Sequence, residues 1–236
     1  MIICATADIH SPLFYDLFVS AIENLKVKPD LFLLAGDMIE RGDVKEFEKV
    51  WNAMFGKIDC PIVACFGNNE FDEIRDFLKQ KYPKIRFLDD QSIELEIKGL
   101  RVGIFGSTGS LDEPTSWQKR NIPNIEMIYE RRRILAEKHL ERMRADFKIL
   151  LLHYAPTYKT LEGENPRIFK NLGSIVFENV ILKQKPNLVI HGHSHRGKKI
   201  AWVDKVPVYN VALPVWKEIV VIDTERDLKP GLARFV

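Results

Sequence analysis

Three short apolar runs, Ile2 to Ala7, Leu31 to Ala35 and Pro61 to Phe66, are separated by segments whose apolar residues recur at helical spacing. Leu13, Leu17, Phe18, Ala21, Ile22 and Leu25 mark the first such stripe. Val44, Phe47, Val50, Trp51, Met54, Phe55 and Ile58 mark the second, and Phe71, Ile74, Phe77 and Leu78 a shorter third. A chain that interposes a helix between successive strands pairs them in parallel, so this alternation predicts a parallel sheet with helices packed on it. Each run also ends on polar residues: Asp8 and His10, then Gly36-Asp37, then Gly67-Asn68-Asn69-Glu70. Asp8 to Asp37 is 29 residues and Asp37 to Asn68 is 31, each the length of one strand–helix unit.

Beyond residue 90 the pattern changes. Ile93, Leu95 and Ile97 alternate with Glu94, Glu96 and Lys98, and Gly99 allows a turn into Val102 to Phe105, which predicts an antiparallel hairpin with one wet face. Gly106 to Asn124 has turn formers but no period and reads as a long loop. Ile125 to Arg144 reads as a long helix, Phe147 to Leu152 as a strand ending in His153, Pro156 to Asn171 as a second long loop, and Ser174 to Lys183 as a helix. The apolar Leu188 to Ile190 runs out into His191, Gly192, His193, Ser194 and His195. Three further strands, Lys199 to Val203, Val208 to Val211 and Ile219 to Ile222, are spaced closely enough to predict antiparallel meanders. The sum is an α/β chain: a two-sheet mixed β sandwich flanked by helices, expected as one domain over residues 1–236.

Ligands of open α/β sheets bind beyond the carboxyl ends of the strands, so the polar residues ending these runs should converge on one rim. They comprise Asp8, His10, Asp37, Asn68, His153, His193 and His195: two Asp, one Asn and four His, with no thiolate. Four ligands satisfy one tetrahedral ion, and seven are better used by two ions sharing a carboxylate, an arrangement with the metals about 3.5–4 Å apart that suits phosphoryl transfer. The donor mixture favours manganese, iron, zinc, cobalt or nickel over calcium or magnesium.

The series Asp8-Ile9-His10, Gly36-Asp37, Gly67-Asn68-Asn69-Glu70, His153 and Gly192-His193-Ser194-His195 resembles the calcineurin-like metallophosphoesterases, with the motifs in the right order over residues 8 to 195. The resemblance implies the four-layer αββα fold. It also implies that Asp8, His10 and His195 bind one metal, that Asn68, His153 and His193 bind the other, and that Asp37 bridges them. A hydroxide between the ions would then attack phosphorus in line. Manganese is the first choice of ion. Where the family usually carries His after the metal-binding Asn, this chain has Asn69, which donates a hydrogen bond but delivers no proton near neutral pH. The implied activity is accordingly hydrolysis of phosphodiesters or activated phosphomonoesters. Gly36-Asp37-Met38-Ile39-Glu40-Arg41-Gly42 partly resembles the motif of the protein Ser/Thr phosphatase branch, which makes Arg41 a phosphate clamp.

Bulk properties narrow the alternatives. Thirty-five Lys and Arg against thirty-three Asp and Glu leave a formal charge of +2 in 236 residues, so no global pull toward nucleic acid or membrane is expected. Arg131 to Arg133 interleave with Glu130, Glu137 and Glu141 and read as a solvated helix face; His139 reads as a surface residue, and His191 as a strand residue satisfied by a neighbour. A nuclease, or a non-catalytic protein-interaction scaffold on the same fold, stands as the alternative. A small-molecule or nucleotide phosphate ester is the expected substrate, with Trp117, Tyr154, Tyr158 and Lys159 in the long loops selecting it and Tyr154 foremost. Cys4, Cys60 and Cys65 read as reduced thiols, the N-terminus has no basic leader, and no run approaches membrane-spanning length, so a cytoplasmic protein is expected.

Overall fold

A computed structural model describes residues 1–229. The first sheet has the order β11-β1-β2-β3-β4, with β1 (Ile2–Thr6), β2 (Leu31–Ala35), β3 (Ile62–Cys65) and β4 (Ile85–Leu88) parallel and β11 (Val220–Asp223) antiparallel to β1. The second has the order β5-β6-β7-β8-β10-β9, formed by β5 (Gln91–Ile97), β6 (Leu100–Ser107), β7 (Phe147–Leu152), β8 (Leu188–His191), β9 (Ile200–Val203) and β10 (Val206–Asn210). Here β6, β7, β8 and β10 run parallel, and β5 and β9 pair antiparallel at the two edges.

Side chains alternate faces along a strand, and the period of two builds the layers. Leu31, Leu33 and Ala35 of β2 face Ile149 and Leu151 of β7 and Leu188 and Ile190 of β8 in a core between the sheets. Phe32 and Leu34 point the other way, onto Phe18 of α1 (Tyr15–Glu23), Phe47 and Val50 of α2 (Val44–Met54) and Leu78 of α3 (Asp72–Lys81). Leu150 and Leu152 likewise face Ala136 and Leu140 of α5 (Ile125–Arg142) and Phe177, Val180 and Ile181 of α6 (Ile175–Gln184). The two mixed sheets flanked by helices are the architecture expected from the sequence.

Several local expectations are corrected. The loop from Gly106 to Asn124 contains a helix, α4 (Ser116–Asn121), started by a capping box in which Thr115 and Gln118 exchange side-chain and backbone hydrogen bonds. The late strands are not one meander: β9 and β10 form a hairpin, β10 lies parallel to β8, and β11, reached through α7 (Leu213–Trp216), crosses to the other sheet beside β1. Strand β4 was not among the elements expected from the sequence. Arg132 is not on a solvated face; it turns inward, donates to the Gly109 carbonyl at 3.2 Å and lies 3.5 Å from Asp90. His139 is half-buried, hydrogen-bonded to Ser92 at 2.7 Å and packed 5.3 Å from the Phe105 ring.

Candidate metal centre

The strand ends are stitched to one another by backbone hydrogen bonds. Asp8 N–H donates to the Gly36 carbonyl, His10 N–H to that of Asp37, Ser11 N–H to that of Met38, and Gly192 N–H to that of His153, at 3.0–3.1 Å. Asp8, His10, Asp37 and His193 all have positive φ, at +58°, +42°, +53° and +68°. Left-handed backbone is uncommon outside glycine, and its recurrence at four converging residues is strain that the cross-strand bonds must hold; such strain concentrates at functional sites. Gly67 and Gly192 permit the closest approaches, since a Cβ on Gly67 would collide with the Asp37 carboxylate and one on Gly192 with that of Asp8.

The side chains gather into two trios of donor atoms, each trio within 4.8 Å: Asp8, His10 and His195, and Asp37, His153 and His193. His195 Nε2 lies 3.2 Å from Asp8 Oδ1, and His153 Nε2 lies 3.3 Å from Asp37 Oδ2 and 3.1 Å from Asn68 Oδ1. His10 Nε2 joins the trios, at 3.6 Å from both Asp8 Oδ1 and Asp37 Oδ2. Two rings are oriented from behind, His10 Nδ1 by Glu40 at 2.8 Å and His153 Nδ1 by the Ala35 carbonyl at 2.9 Å, which turns each Nε2 toward the carboxylates. His10 Nε2 is itself buried without a hydrogen-bond partner. A buried, unpartnered imidazole nitrogen between two buried carboxylates, among N and O donors alone, fits divalent cations. All seven side chains singled out in the sequence meet here.

Burial pushes the Asp8 and Asp37 carboxyls up, but the neighbouring His10 imidazole and the hydrogen bond from His195 hold Asp8 well below the carboxylate range, and the charge and hydrogen bond of His153 lower Asp37. Burial lowers His10 and His153, yet Asp8 and Asp37 outweigh it and raise each to about 9. His193 is pushed down to about 3 by burial and then by the charge of His153. The two aspartates are thus held anionic, the state in which a carboxylate serves as a ligand to a cation.

One residue to which the sequence alone assigns no role proves central. Glu70 is 1% exposed, and its carboxylate accepts the N–H groups of Gly67 at 2.7 Å, Asp37 at 2.9 Å, Met38 at 2.7 Å and Ile39 at 3.3 Å. It ties the turn after β2 to the turn after β3 and so fixes Asp37 against Asn68. The available signal was a Glu directly after a Gly-Asn-Asn turn in an apolar neighbourhood, where a carboxylate must find partners.

Asn69 binds Asp37 twice, N–H to Oδ1 and Nδ2 to Oδ2, both at 2.8 Å, and its Oδ1 accepts Arg41 N–H at 3.1 Å. Arg41 stands at the cleft mouth with an 85% exposed side chain. Tyr154 is buried, its ring 4.8 Å from His193 and its hydroxyl accepting from Gln118 Nε2 at 3.0 Å; burial pushes that hydroxyl up to about 12, so it stays protonated. Tyr158 and Lys159 do not face the cleft as expected: Tyr158 donates to Asp112 at 2.7 Å and Lys159 to Glu178 at 2.8 Å. His191 stays outside the cluster, held by the Gly192 carbonyl at 2.8 Å and Thr160 at 2.9 Å, with burial lowering it to about 4.

Residues 1–197 match the family model of the calcineurin-like phosphoesterases. The chain belongs to that family. As a calcineurin-like phosphoesterase it is a phosphoric ester hydrolase, and the family implies divalent metal ions, for which the two trios are the candidate holders. It is similar to a probable glycerophosphodiester phosphodiesterase GpdQ of Arcobacter nitrofigilis, 24% identical over 94% of this chain and 75% of that protein. Its fold resembles the phosphopantetheinyl hydrolase PptH of Mycobacterium tuberculosis, with a TM-score of 0.67 at 14% identity over 97% of this chain and 98% of that one. It also resembles TT1561 of Thermus thermophilus, with a TM-score of 0.58 at 17% identity over 94% of this chain and 98% of that one. Among the described residues no helix is long and apolar enough to cross a membrane.

Proposed function

We propose that this calcineurin-like phosphoesterase hydrolyses phosphodiesters or activated phosphomonoesters at a centre for two divalent transition metals, manganese first, with Asp8, His10 and His195 holding one ion, Asn68, His153 and His193 the other, and Asp37 between them. The observation that carries the reading is the placement of His10 Nε2 at equal distance from Asp8 and Asp37, which makes the two trios neighbours sharing one wall. When bound, the ions supply Lewis acidity, an activated water and neutralisation of charge on the phosphoryl oxygens. The chain supplies position. Glu40 and the Ala35 carbonyl aim two imidazoles, Glu70 locks the two turns, and Asn69 holds both oxygens of Asp37.

Asn69 also decides the substrate class. Its amide offers hydrogen bonds and no proton, so the alkoxide of a poor leaving group receives no acid from this position. Diesters and esters of acidic alcohols depend least on that assistance, and the probable diesterase of Arcobacter nitrofigilis supports the same direction. Arg41 at the mouth is placed to meet a phosphoryl oxygen through its planar fork. Tyr154 acts through the shape of the cleft, because its hydroxyl is engaged by Gln118. We take residues 1–236 as one domain, supported by the core shared between the sheets, and the unpaired thiols of Cys4, Cys60 and Cys65 support a reducing, cytoplasmic compartment.

The test is to load the protein with Mn²⁺ and assay bis-p-nitrophenyl phosphate and p-nitrophenyl phosphate beside Asp37→Asn. Metal-dependent turnover favouring the diester is expected. No metal-dependent turnover on either substrate overturns the proposal.

A further inference from the structure

Beside the metal centre the protein carries a cleft of about 440 Å³ between α3 and the α4–α5 segment, walled by Phe71, Trp117, Ile122, Pro123, Ile128 and Tyr129. A second hollow of about 360 Å³ joins it to the centre: it shares Phe71, Trp117, Gln118 and Tyr154, and opens onto Asn68, Asn69, Arg41 and His193. The volumes are those of small-molecule sites. Two aromatic side chains stand open at the junction, Trp117 at 56% exposure and Phe71 at 39%. An exposed Trp beside a catalytic cluster is not a folding requirement. The capping box at Thr115 and the bond from Gln118 to Tyr154 hold α4 in place without any contribution from the indole.

The polarity of the cleft runs in one direction. At the metal end lie Asn68, Asn69, His193 and the guanidinium of Arg41, open to solvent with Glu40 at 3.6 Å. At the far end the arginines are drawn in beside carboxylates, Arg75 to Asp72 at 2.9 Å and Asp89 at 3.1 Å, and Arg132 beside Asp90 at 3.5 Å with its Nε making no hydrogen bond. With Asp72, Glu73, Arg75 and Arg132 all on that wall, the far end balances its carboxylates against its guanidiniums and has no excess positive charge to draw a second phosphate. What the cleft offers instead is apolar and aromatic surface, together with the Thr108 hydroxyl and Arg132 Nε, which are buried and lack hydrogen-bond partners.

We propose that this cleft seats the retained alcohol arm of a phosphodiester, and that the arm carries a flat aromatic group, as a nucleoside does, stacked on Trp117. The assignment rests on the phosphodiesterase reading and narrows it. A single aromatic arm is accepted, a short aliphatic arm leaves the Trp117 and Phe71 faces uncovered, and an extended nucleic-acid backbone finds no excess positive charge on the far wall. Stacking discriminates because every aromatic heterocycle presents a π-face, whereas glycerol or ethanol presents none.

The test compares two diesters that share one leaving group, thymidine 5′-(p-nitrophenyl phosphate) and ethyl p-nitrophenyl phosphate, on the Mn²⁺-loaded wild type, Trp117→Ala and Trp117→Phe. The wild type should favour the thymidine ester in kcat/KM, chiefly through KM. Trp117→Ala should lower that preference about tenfold, and Trp117→Phe, which keeps a flat ring, should restore most of it. Binding is read separately by titrating adenosine 5′-monophosphate against intrinsic fluorescence, where quenching in the wild type should disappear in Trp117→Phe although Trp51, Trp202 and Trp216 remain. An unchanged ester preference in Trp117→Ala, or quenching that persists in Trp117→Phe, overturns the inference and leaves the phosphodiesterase reading standing. If neither ester is turned over, that reading fails and the fluorescence titration still decides the cleft.

Discussion

Asn69 and Trp117 line the same hollow but are held in different ways. Asn69 uses its backbone N–H, its amide nitrogen and its amide oxygen, binding Asp37 and Arg41, and belongs to a lattice of hydrogen bonds that continues through the buried Glu70 into two strand ends. Trp117 leaves more than half its surface in water, and it is its backbone carbonyl, not its indole, that binds the Asn121 side chain. The metal side is fixed by backbone and buried charge, where a displacement of one group leaves another unsatisfied. The opposite wall is placed by the α4 capping box and the Gln118–Tyr154 bond, which leaves the Trp117 indole free to be chosen for what it touches. Chemistry and selectivity are therefore separable here by mutation, and each expected outcome below tests that separation.

The largest effect belongs to Asp37→Asn, which removes the carboxylate of the trio it forms with His153 and His193: metal-dependent kcat/KM should fall on the order of a thousandfold or more. Metal content measured on the purified variant should fall with it, and full loading with full activity would contradict the role of Asp37. Next is Glu70→Gln. Its amide cannot accept at both ends, so backbone N–H groups of the two turns lose partners inside the protein, at a cost of about 2–4 kcal/mol in urea unfolding. Retention of stability would show that the turns hold without the clamp.

Asn69→His should raise kcat on alkyl esters, about tenfold or more, by supplying a proton donor, while esters of p-nitrophenol change less. Equal or lower activity on alkyl esters counts against the leaving-group argument. A smaller effect tests the core beneath the centre. Burial pushes the Cys4 thiol up to about 12, far above its unfolded value of roughly 8.5. As pH climbs the unfolded chain releases that proton first, so stability is complete below about pH 8.5 and declines toward pH 12, by at most about 1.4 kcal/mol per pH unit. Urea titrations at about pH 7.5, 9 and 10.5 should show the decline, and Cys4→Ala should reduce it. The smallest change is expected from Trp117→Phe, which should alter thermal stability by no more than about 0.5 kcal/mol because the indole packs little.

The strand ends were legible in the sequence because each couples an apolar run, whose burial is compulsory, to a polar residue that cannot follow it inside. Thus Leu31 to Ala35 predicts both β2 and the exit at Gly36-Asp37. The helix at Ser116–Asn121 left a trace as well, in Thr115 and Gln118 at capping-box spacing, but six residues carry too little hydrophobic period to stand out from a loop. The destination of β11 was not legible. Val220 to Asp223 reads the same whether it pairs with β10 or with β1, because pairing partners follow from which edge is open after the sandwich closes. Arg132 shows the same limit: its neighbours Arg131 and Arg133 share its composition, and only the packing of α5 against the second sheet turns Arg132 inward, toward Gly109 and Asp90.

By itself, the sequence determined the layered α/β architecture and the identity of seven converging donors, because hydrophobic period and strand-end position are local properties of the chain. The tertiary structure decided what surrounds those donors: that His10 stands between Asp8 and Asp37, that Glu70 clamps two turns, and that Trp117 faces the cleft. Those facts depend on distances between residues far apart along the chain, and such distances exist only after both sheets have closed on their common core.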